Sequence, residues 1–261
     1  MYLGFKGKTA LVAASSQGLG RAVAEALAIE GANVMITSRD PEKLHRVKEE
    51  ISKKASGRIE YKACDLSNGE EIVQLVEKTA KRFGTIDLLV NNAGGPPTGT
   101  FEMMTDEDWQ KSFELNVMSH VRLIRTVLPY MRGKGGKIVN IASSSVKEPI
   151  PGLVLSNTFR LGIVGLTKTL ASELAPYQIL INTAAPGRIA TDRTASLDQA
   201  AAERLGIRAE DAEEENKKKI PAGRYGTPEE FAAYVLFLLS DANTYMTGQT
   251  QLIDGGMVKS V

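Results

Sequence analysis

The segment Leu11-Val-Ala-Ala-Ser-Ser-Gln-Gly-Leu-Gly20 constrains this chain more than any other stretch of it. An apolar run from Thr9 to Ala14 has the composition of a buried strand, and Arg21 to Glu30 reads as a helix with an alanine-rich face. Gly18 and Gly20 lie in the turn between them. Such a turn lets backbone approach a pyrophosphate closely, while the helix N-terminus presents unpaired N–H groups and a positive dipole end to it. Glycines open many helices for steric reasons alone, so context has to decide. This is the first strand–helix turn of a chain that goes on alternating strand and helix along most of its length, and there it predicts a bound nucleotide.

A second strand, residues 32–38, ends at Ser38-Arg39, about twenty residues past the glycine turn, where NAD-binding folds carry a carboxylate for the ribose hydroxyl. Ser38 cannot play that part. Arg39 offers a planar, permanently charged fork to a 2′-phosphate, unless it is simply a solvated arginine before a helix; NADP(H) is therefore expected over NAD(H). Asp40 reads as the N-cap of a helix over 41–54 with Pro41 at its first position. The third strand, Arg58 to Cys64, runs into Asp65-Leu66, and Asp65 is a candidate either for the adenine amine or for capping a helix over 68–83. A fourth strand, Ile86 to Val90, precedes Asn91-Asn92-Ala93-Gly94-Gly95, which reads as a tight turn.

Residues 106–132 predict one long helix, apolar over more than one face and so buried both on the sheet and against a partner. Asn116 inside it is a poor helix former that should recover its cost in side-chain hydrogen bonds, and His120 is expected at an interface or the surface. Strand five, Lys137 to Ala142, empties into Ser143-Ser144-Ser145; strand six, Ile179 to Ala184, ends in Pro186-Gly187. From Thr191 to about Pro221 the chain becomes a charged excursion. There Glu213, Glu214 and Glu215 precede Lys217, Lys218 and Lys219 by four residues, which supports a solvated helix and suggests a lid over the carboxyl ends of the strands. A helix over 228–240 and a strand from Gln249 to Ile253 close the chain.

The expected fold is a single-domain α/β, Rossmann-like, doubly wound parallel sheet of seven strands with helices on both faces, spanning residues 1–261. The 32 Lys and Arg nearly cancel the 31 Asp and Glu, which argues against a nucleic-acid partner. No apolar run is long enough to span a membrane, and the N-terminus lacks a signal-peptide pattern. The single cysteine, Cys64, excludes an intramolecular disulfide and fits a reducing cytoplasm; it is expected to pack quietly at a strand end. No metal site is expected.

Taken together, Gly18-Leu19-Gly20, Asp65, Asn91-Asn92-Ala93-Gly94, Asn116, Ser143, Pro186-Gly187, Thr191-Asp192 and Asp254-Gly255-Gly256 resemble the short-chain dehydrogenase/reductases, most closely the 3-oxoacyl-carrier-protein reductase branch. The resemblance covers nearly the whole chain. It implies a nicotinamide nucleotide held by Ser16, Gln17, Gly18, Leu19, Gly20, Ser38, Arg39, Asp65, Leu66, Asn92, Ala93, Gly94, Arg160, Pro186, Gly187, Ile189 and Thr191. It implies a small-molecule, 3-oxoacyl-like carbonyl or hydroxyl substrate. It also implies a homo-oligomer, tetramer or dimer, built through the long helix and the last helix and strand.

Two departures from the family pattern stand out. The glycine that usually closes strand one is Ala14, whose methyl crowds the path of the adenosine ribose. The family's tyrosine and lysine, four residues apart on the helix after strand five, fall on Ser156 and Arg160, while Ser143, thirteen residues upstream, and Asn116 are kept. A phenol of pKa near 10 can be brought toward neutrality by a neighbouring cation, but an aliphatic hydroxyl is a much weaker acid. Arg160 can hydrogen-bond ribose hydroxyls but releases no proton at ordinary pH. The resulting expectation is an oxidoreductase with an altered proton relay through Ser143, Ser156 and water. The alternatives are a nucleotide-binding protein with little or no turnover, or another reaction in the same pocket such as elimination or hydration. Arg188 and Arg193 either attract an anionic substrate or are solvated lid residues.

Overall fold

A computed structural model describes residues 3–260. Seven parallel strands make one sheet: β1 (Thr9–Val12), β2 (Asn33–Ser38), β3 (Ile59–Ala63), β4 (Leu88–Asn91), β5 (Gly136–Ile141), β6 (Ile179–Pro186) and β7 (Thr250–Ile253), in the order β3-β2-β1-β4-β5-β6-β7. The order reverses between β1 and β4. At such a switch point the crossover helices diverge to opposite faces and leave a crevice beyond the carboxyl ends of the strands.

Alternation along the strands builds two cores. In β1, Ala10 and Val12 point to one face with Val34 and Ile36 of β2 and with Leu27 of α1 (Gly18–Ile29). That layer is completed by α2 (Pro41–Ser52) and by Phe231 and Val235 of α9 (Pro228–Leu239). Leu11 points to the other face, beside its register neighbours Met35 and Leu89, and packs under α3 (Gly69–Phe83), α5 (Ser119–Met131) and α6 (Val154–Leu174). Helices therefore cover both faces, which is why these strands are apolar at nearly every position.

Local chemistry sets the helix ends. Asp40 caps α2 by accepting from the Lys43 N–H at 2.9 Å, with Pro41 in the first turn, as expected. Asn68, not Asp65, caps α3, and Gly84 closes that helix at φ +85°. Thr227 and Glu230 form a reciprocal capping box on α9.

Three sequence expectations are corrected. The helix foreseen over 106–132 runs without interruption from Asp106 to Met131 but is not uniformly wound: α4 (Asp106–Phe113) passes through a π-helical turn, Glu114–Met118, before α5. His120 is not at the surface but fully buried. Strand β6 runs on to Pro186 because β7 lies beside it as far as Ile253.

The charged excursion folds as α7 (Asp192–Leu205) and α8 (Ala209–Lys218), packed on each other. The buried Asp198 carboxylate pins it, accepting from Arg188, from Asn216 at 2.9 Å and from the Tyr225 hydroxyl at 2.8 Å. On α8 the four-residue acid–base spacing is realised in the Lys217–Glu213 ion pair at 2.9 Å, while Lys218 pairs with Glu215, three residues before it, at 2.6 Å. Cys64 is buried at the end of β3, and burial pushes its thiol up to about 12, which leaves it inert. Among the described residues no helix is long and apolar enough to cross a membrane.

Candidate active site

The turn after β1 is held from both sides. Ser15 donates to the Val12 carbonyl at 2.7 Å and accepts from the Thr37 N–H at 3.0 Å, which locks the turn to β2. From the other side the Asn92 carboxamide donates to the Ala14 carbonyl at 3.1 Å. Gly18 has φ +55°, in the left-handed region. A Cβ at Gly20 would lie 2.5 Å from the Ala14 oxygen and 2.8 Å from the Asn92 nitrogen, so only glycine fits. Ala14 itself sits at φ +45°, a conformation that a glycine in its place would adopt freely.

The N-terminus of α1 has no side-chain cap and no acidic residue in its first turn. Its N–H groups face an open cleft of about 2280 Å³. An uncapped, acid-free helix start behind a glycine turn fits an anionic pyrophosphate, with no Cβ in its way at Gly18 or Gly20. Thr191, the N-cap of α7, lies across the same place, its side chain 3.8 Å from where a Gly18 Cβ would stand.

At the end beside β2 and β3 the cleft is lined by Ser38, Arg39, Lys43, Asp65 and Leu66. Lys43 bonds Gln17, and so places a second cation beside Arg39. It sits four residues after Arg39, in the first turn of α2, where the sequence pattern gives it no distinction from its charged neighbours. Asp65 turns one oxygen to the Ser67 N–H at 2.9 Å and to its hydroxyl at 2.7 Å. Burial acts to raise this carboxyl, but the Ser67 hydrogen bonds and the Arg39 charge outweigh it and leave it below the ordinary carboxylate range.

At the opposite end stand Ser143, Ser156 and Arg160. Ser143 leaves β5 in extended backbone, and its hydroxyl accepts from the Ser145 N–H at 3.2 Å. Ser156 lies in the first turn of α6, and Arg160, only 6% exposed, follows one turn later. Arg160 donates to the Ile141 carbonyl at 2.8 Å and to the Ala93 carbonyl at 3.3 Å. It thereby ties together the ends of β4 and β5, and its remaining N–H groups stay available toward the cleft. Burial first, and then the charge of Arg193, lower its guanidinium to about 10, so it remains a cation at neutral pH.

Every predicted site residue lines this cleft except Gly20 and Asn116. Gly20 packs behind the glycine turn. Asn116 is fully buried in the π turn, where its amide donates to the Ser112 carbonyl at 3.2 Å and its oxygen has no partner among the described residues. His120, one turn further, is held neutral: burial first, and then the Arg160 charge, push its imidazole down to about 3. Gly187 lines the same cleft. A Cβ there would stand 2.5 Å from that of Asp254, so glycine is obligatory where β6 passes the end of β7.

Comparison with known proteins agrees with this geometry. Residues 13–258 match the family described as Enoyl-(Acyl carrier protein) reductase. The chain is 37% identical over 258 residues to the 3-oxoacyl-[acyl-carrier-protein] reductase of Aquifex aeolicus, covering 98% of this chain and 100% of that one. It is 35% identical over 258 residues to dehydrogenase/reductase SDR family member 4 of Caenorhabditis elegans, covering 97% and 96% of the two. Among solved structures, the L-sorbose reductase of Gluconobacter frateurii complexed with NADPH and L-sorbose superposes with a TM-score of 0.94 at 33% identity, covering all of both chains. A single-residue variant of the actinorhodin polyketide ketoreductase with NADPH superposes with a TM-score of 0.90 at 30% identity, covering 96% of this chain and 97% of that one.

Proposed function

This chain belongs to the short-chain dehydrogenase/reductase family, and from that premise we propose that it is an NADP(H)-dependent oxidoreductase acting on a carbonyl or hydroxyl group of a small, 3-oxoacyl-like molecule. One observation carries the reading. Ser143, Ser156 and the Arg160 cation stand at one end of a cleft whose other end holds the uncapped start of α1 with Arg39 and Lys43. The NADPH complexes of two structural relatives support the choice of nucleotide, and Arg39 and Lys43 supply charge for a 2′-phosphate.

Held by the start of α1 with Arg39 and Lys43, NADPH would supply the hydride for a carbonyl carbon, whose oxygen would take up a proton. The Ser143 and Ser156 hydroxyls donate hydrogen bonds to that oxygen, and water behind them replaces the proton they pass on. Arg160 stays protonated at neutral pH and is assigned a fixed charge here, not the part of the acid. Its fixed charge, held in place by Ile141 and Ala93, instead stabilises the negative charge growing on the oxygen. Asn116 is a positioning residue behind the cleft, its free acceptor oxygen turned into the protein interior. Without a phenol the chemical step forgoes a factor of roughly 10²–10⁴.

In the same reading, α7 and α8 act as a lid, and the protein is a cytoplasmic homotetramer. Phe101, Phe113 and Leu161, exposed at 71%, 37% and 55% around the α4–α6 face, support assembly there. The test is a fluorescence titration of NADPH followed by its oxidation in the presence of 3-oxoacyl thioesters, diketones and quinones. We expect quenching or a blue shift, turnover with one substrate class, and a large rate loss in Ser143→Ala. Absence of any fluorescence change at high protein concentration overturns the function. A rate indifferent to Ser143→Ala overturns the relay.

A further inference from the structure

The substrate end of the cleft contains two guanidinium groups with no carboxylate partner among the described residues. Arg160 is buried and meets only the backbone carbonyls of Ile141 and Ala93. Arg193 turns into the same cleft and meets only the Pro96 carbonyl, at 2.9 Å. Gly95 makes room for it: a Cβ there would lie 2.7 Å from the Arg193 Nη2 atom. Burying the Arg160 cation without a counter-ion is costly, and the charge of Arg193, itself exposed to the cleft, raises that cost.

Helix stability does not account for Arg193. It sits in the first turn of α7, where the helix dipole disfavours a positive charge. Arg188, next to the same loop, differs: it is paired with Asp198 and lies over the Tyr225 ring at 5.9 Å. Ser156 brings no anion, because an aliphatic hydroxyl stays neutral. Two cations without carboxylate partners, flanking neutral serines, are complementary to an anionic group on the substrate.

Resting on the reductase reading above, we propose that the substrate is an oxo acid with a free carboxylate. That carboxylate is held between Arg193 and Arg160, with the keto oxygen against Ser143 and Ser156. A neutral ester or thioester forgoes the ion pairs and leaves both guanidiniums bare.

The test uses the full chain saturated with NADP+, which allows binding but no reduction, with calorimetry as the readout. The probes are acetoacetate, its uncharged methyl ester, and S-acetoacetyl-N-acetylcysteamine. Acetoacetate is expected to bind at least about tenfold more tightly than either neutral probe. Arg193→Gln should abolish that preference by weakening acetoacetate about 10- to 100-fold. It should leave the methyl ester and NADP+ within about twofold, while Arg193→Lys should keep part of the preference. Equal or tighter binding of a neutral probe by the unmodified protein overturns the proposal, as does failure of acetoacetate to bind. So does an Arg193→Gln variant that weakens NADP+ as much as acetoacetate, since the guanidinium then serves the nucleotide. If NADP+ itself does not bind, the reductase reading has failed and the proposal falls with it; normal NADP+ binding without a carboxylate preference defeats the proposal alone.

Discussion

Asn92 reaches back 78 residues to donate its side-chain N–H to the carbonyl of Ala14, and that contact fixes how closely the glycine turn can pack. The same two groups are what a side chain at Gly20 would strike, at 2.5 and 2.8 Å. Neither can give way cheaply, since one is backbone and the other is committed to it. Gly20→Ala is therefore expected to weaken NADPH binding by about tenfold or more in a fluorescence titration. An unchanged affinity would show that the turn is looser than its hydrogen bonds imply.

Ala14 bears the opposite relationship to its neighbours. At φ +45° an L-residue costs roughly 1–2 kcal/mol, whereas replacing it with glycine costs about 0.4–1 kcal/mol through the unfolded chain. Ala14→Gly should thus leave stability unchanged or raise it by up to about 1.6 kcal/mol. It should also tighten NADPH binding by removing a methyl from the ribose path. Thermal melting and titration of one variant check both, and a clear loss of stability would contradict the strain.

The cations of the adenosine end divide unequally. Arg39 is exposed and makes no hydrogen bond or ion pair among the described residues, whereas Lys43 is engaged by Gln17. Charge-assisted hydrogen bonds contribute about 1.5–3 kcal/mol, so Arg39→Ala should lower the NADPH-to-NADH affinity ratio by roughly 10- to 100-fold. Lys43→Ala should lower it less. The comparison has to be made at fixed ionic strength, because exposed charges are screened. A ratio unaffected by Arg39→Ala would place nucleotide selectivity elsewhere.

What could be read in advance follows the range of the interactions. The Asp40–Pro41 helix start, the alternation of β1 and the spacing of Ser143 from Ser156 are local, and each is legible from neighbours in sequence. The burial of His120 was not, because it arises where α5 passes Arg160 of a different helix. Nor was the π turn: nothing in Glu114–Met118 announces a widened turn apart from an asparagine badly placed in a helix. Arg188 and Arg193 look alike in sequence, and only Asp198 and Tyr225, brought together by the folding of the excursion, distinguish the engaged arginine from the bare one.

Restoring the family pair tests whether the rest of the site is competent. The open cleft beside Ser156 admits a phenol, so Ser156→Tyr with Arg160→Lys should raise kcat/KM by up to about 10²–10⁴, carried by kcat. The change has a structural cost. A lysine ammonium cannot reproduce the two-pronged contact with Ile141 and Ala93, and a carbonyl left without its donor costs about 1–3 kcal/mol. Arg160→Lys alone should therefore melt at lower temperature without gaining activity. A double variant that melts like the single one and gains no rate would place the defect outside this pair.

His120 links this site to pH. Its Nδ1 lies 3.1 Å from the Ser119 hydroxyl, its Nε2 has no partner among the described residues, and burial and then the Arg160 charge hold it at about 3. In the unfolded chain a histidine titrates near 6.5. Between these values the unfolded state binds a proton that the folded state refuses. Stability therefore rises with pH through that window by about 1.4 kcal/mol per unit, and the penalty vanishes above 6.5. At pH 5 the penalty amounts to about 2 kcal/mol. His120→Leu removes the proton acceptor while keeping an apolar side chain in the same space, so its loss of stability from pH 7.5 to pH 5 should be smaller than the unmodified protein's by about that amount. Urea denaturation at the two pH values measures it, and equal losses in both proteins would mean that the imidazole accepts its proton without unfolding.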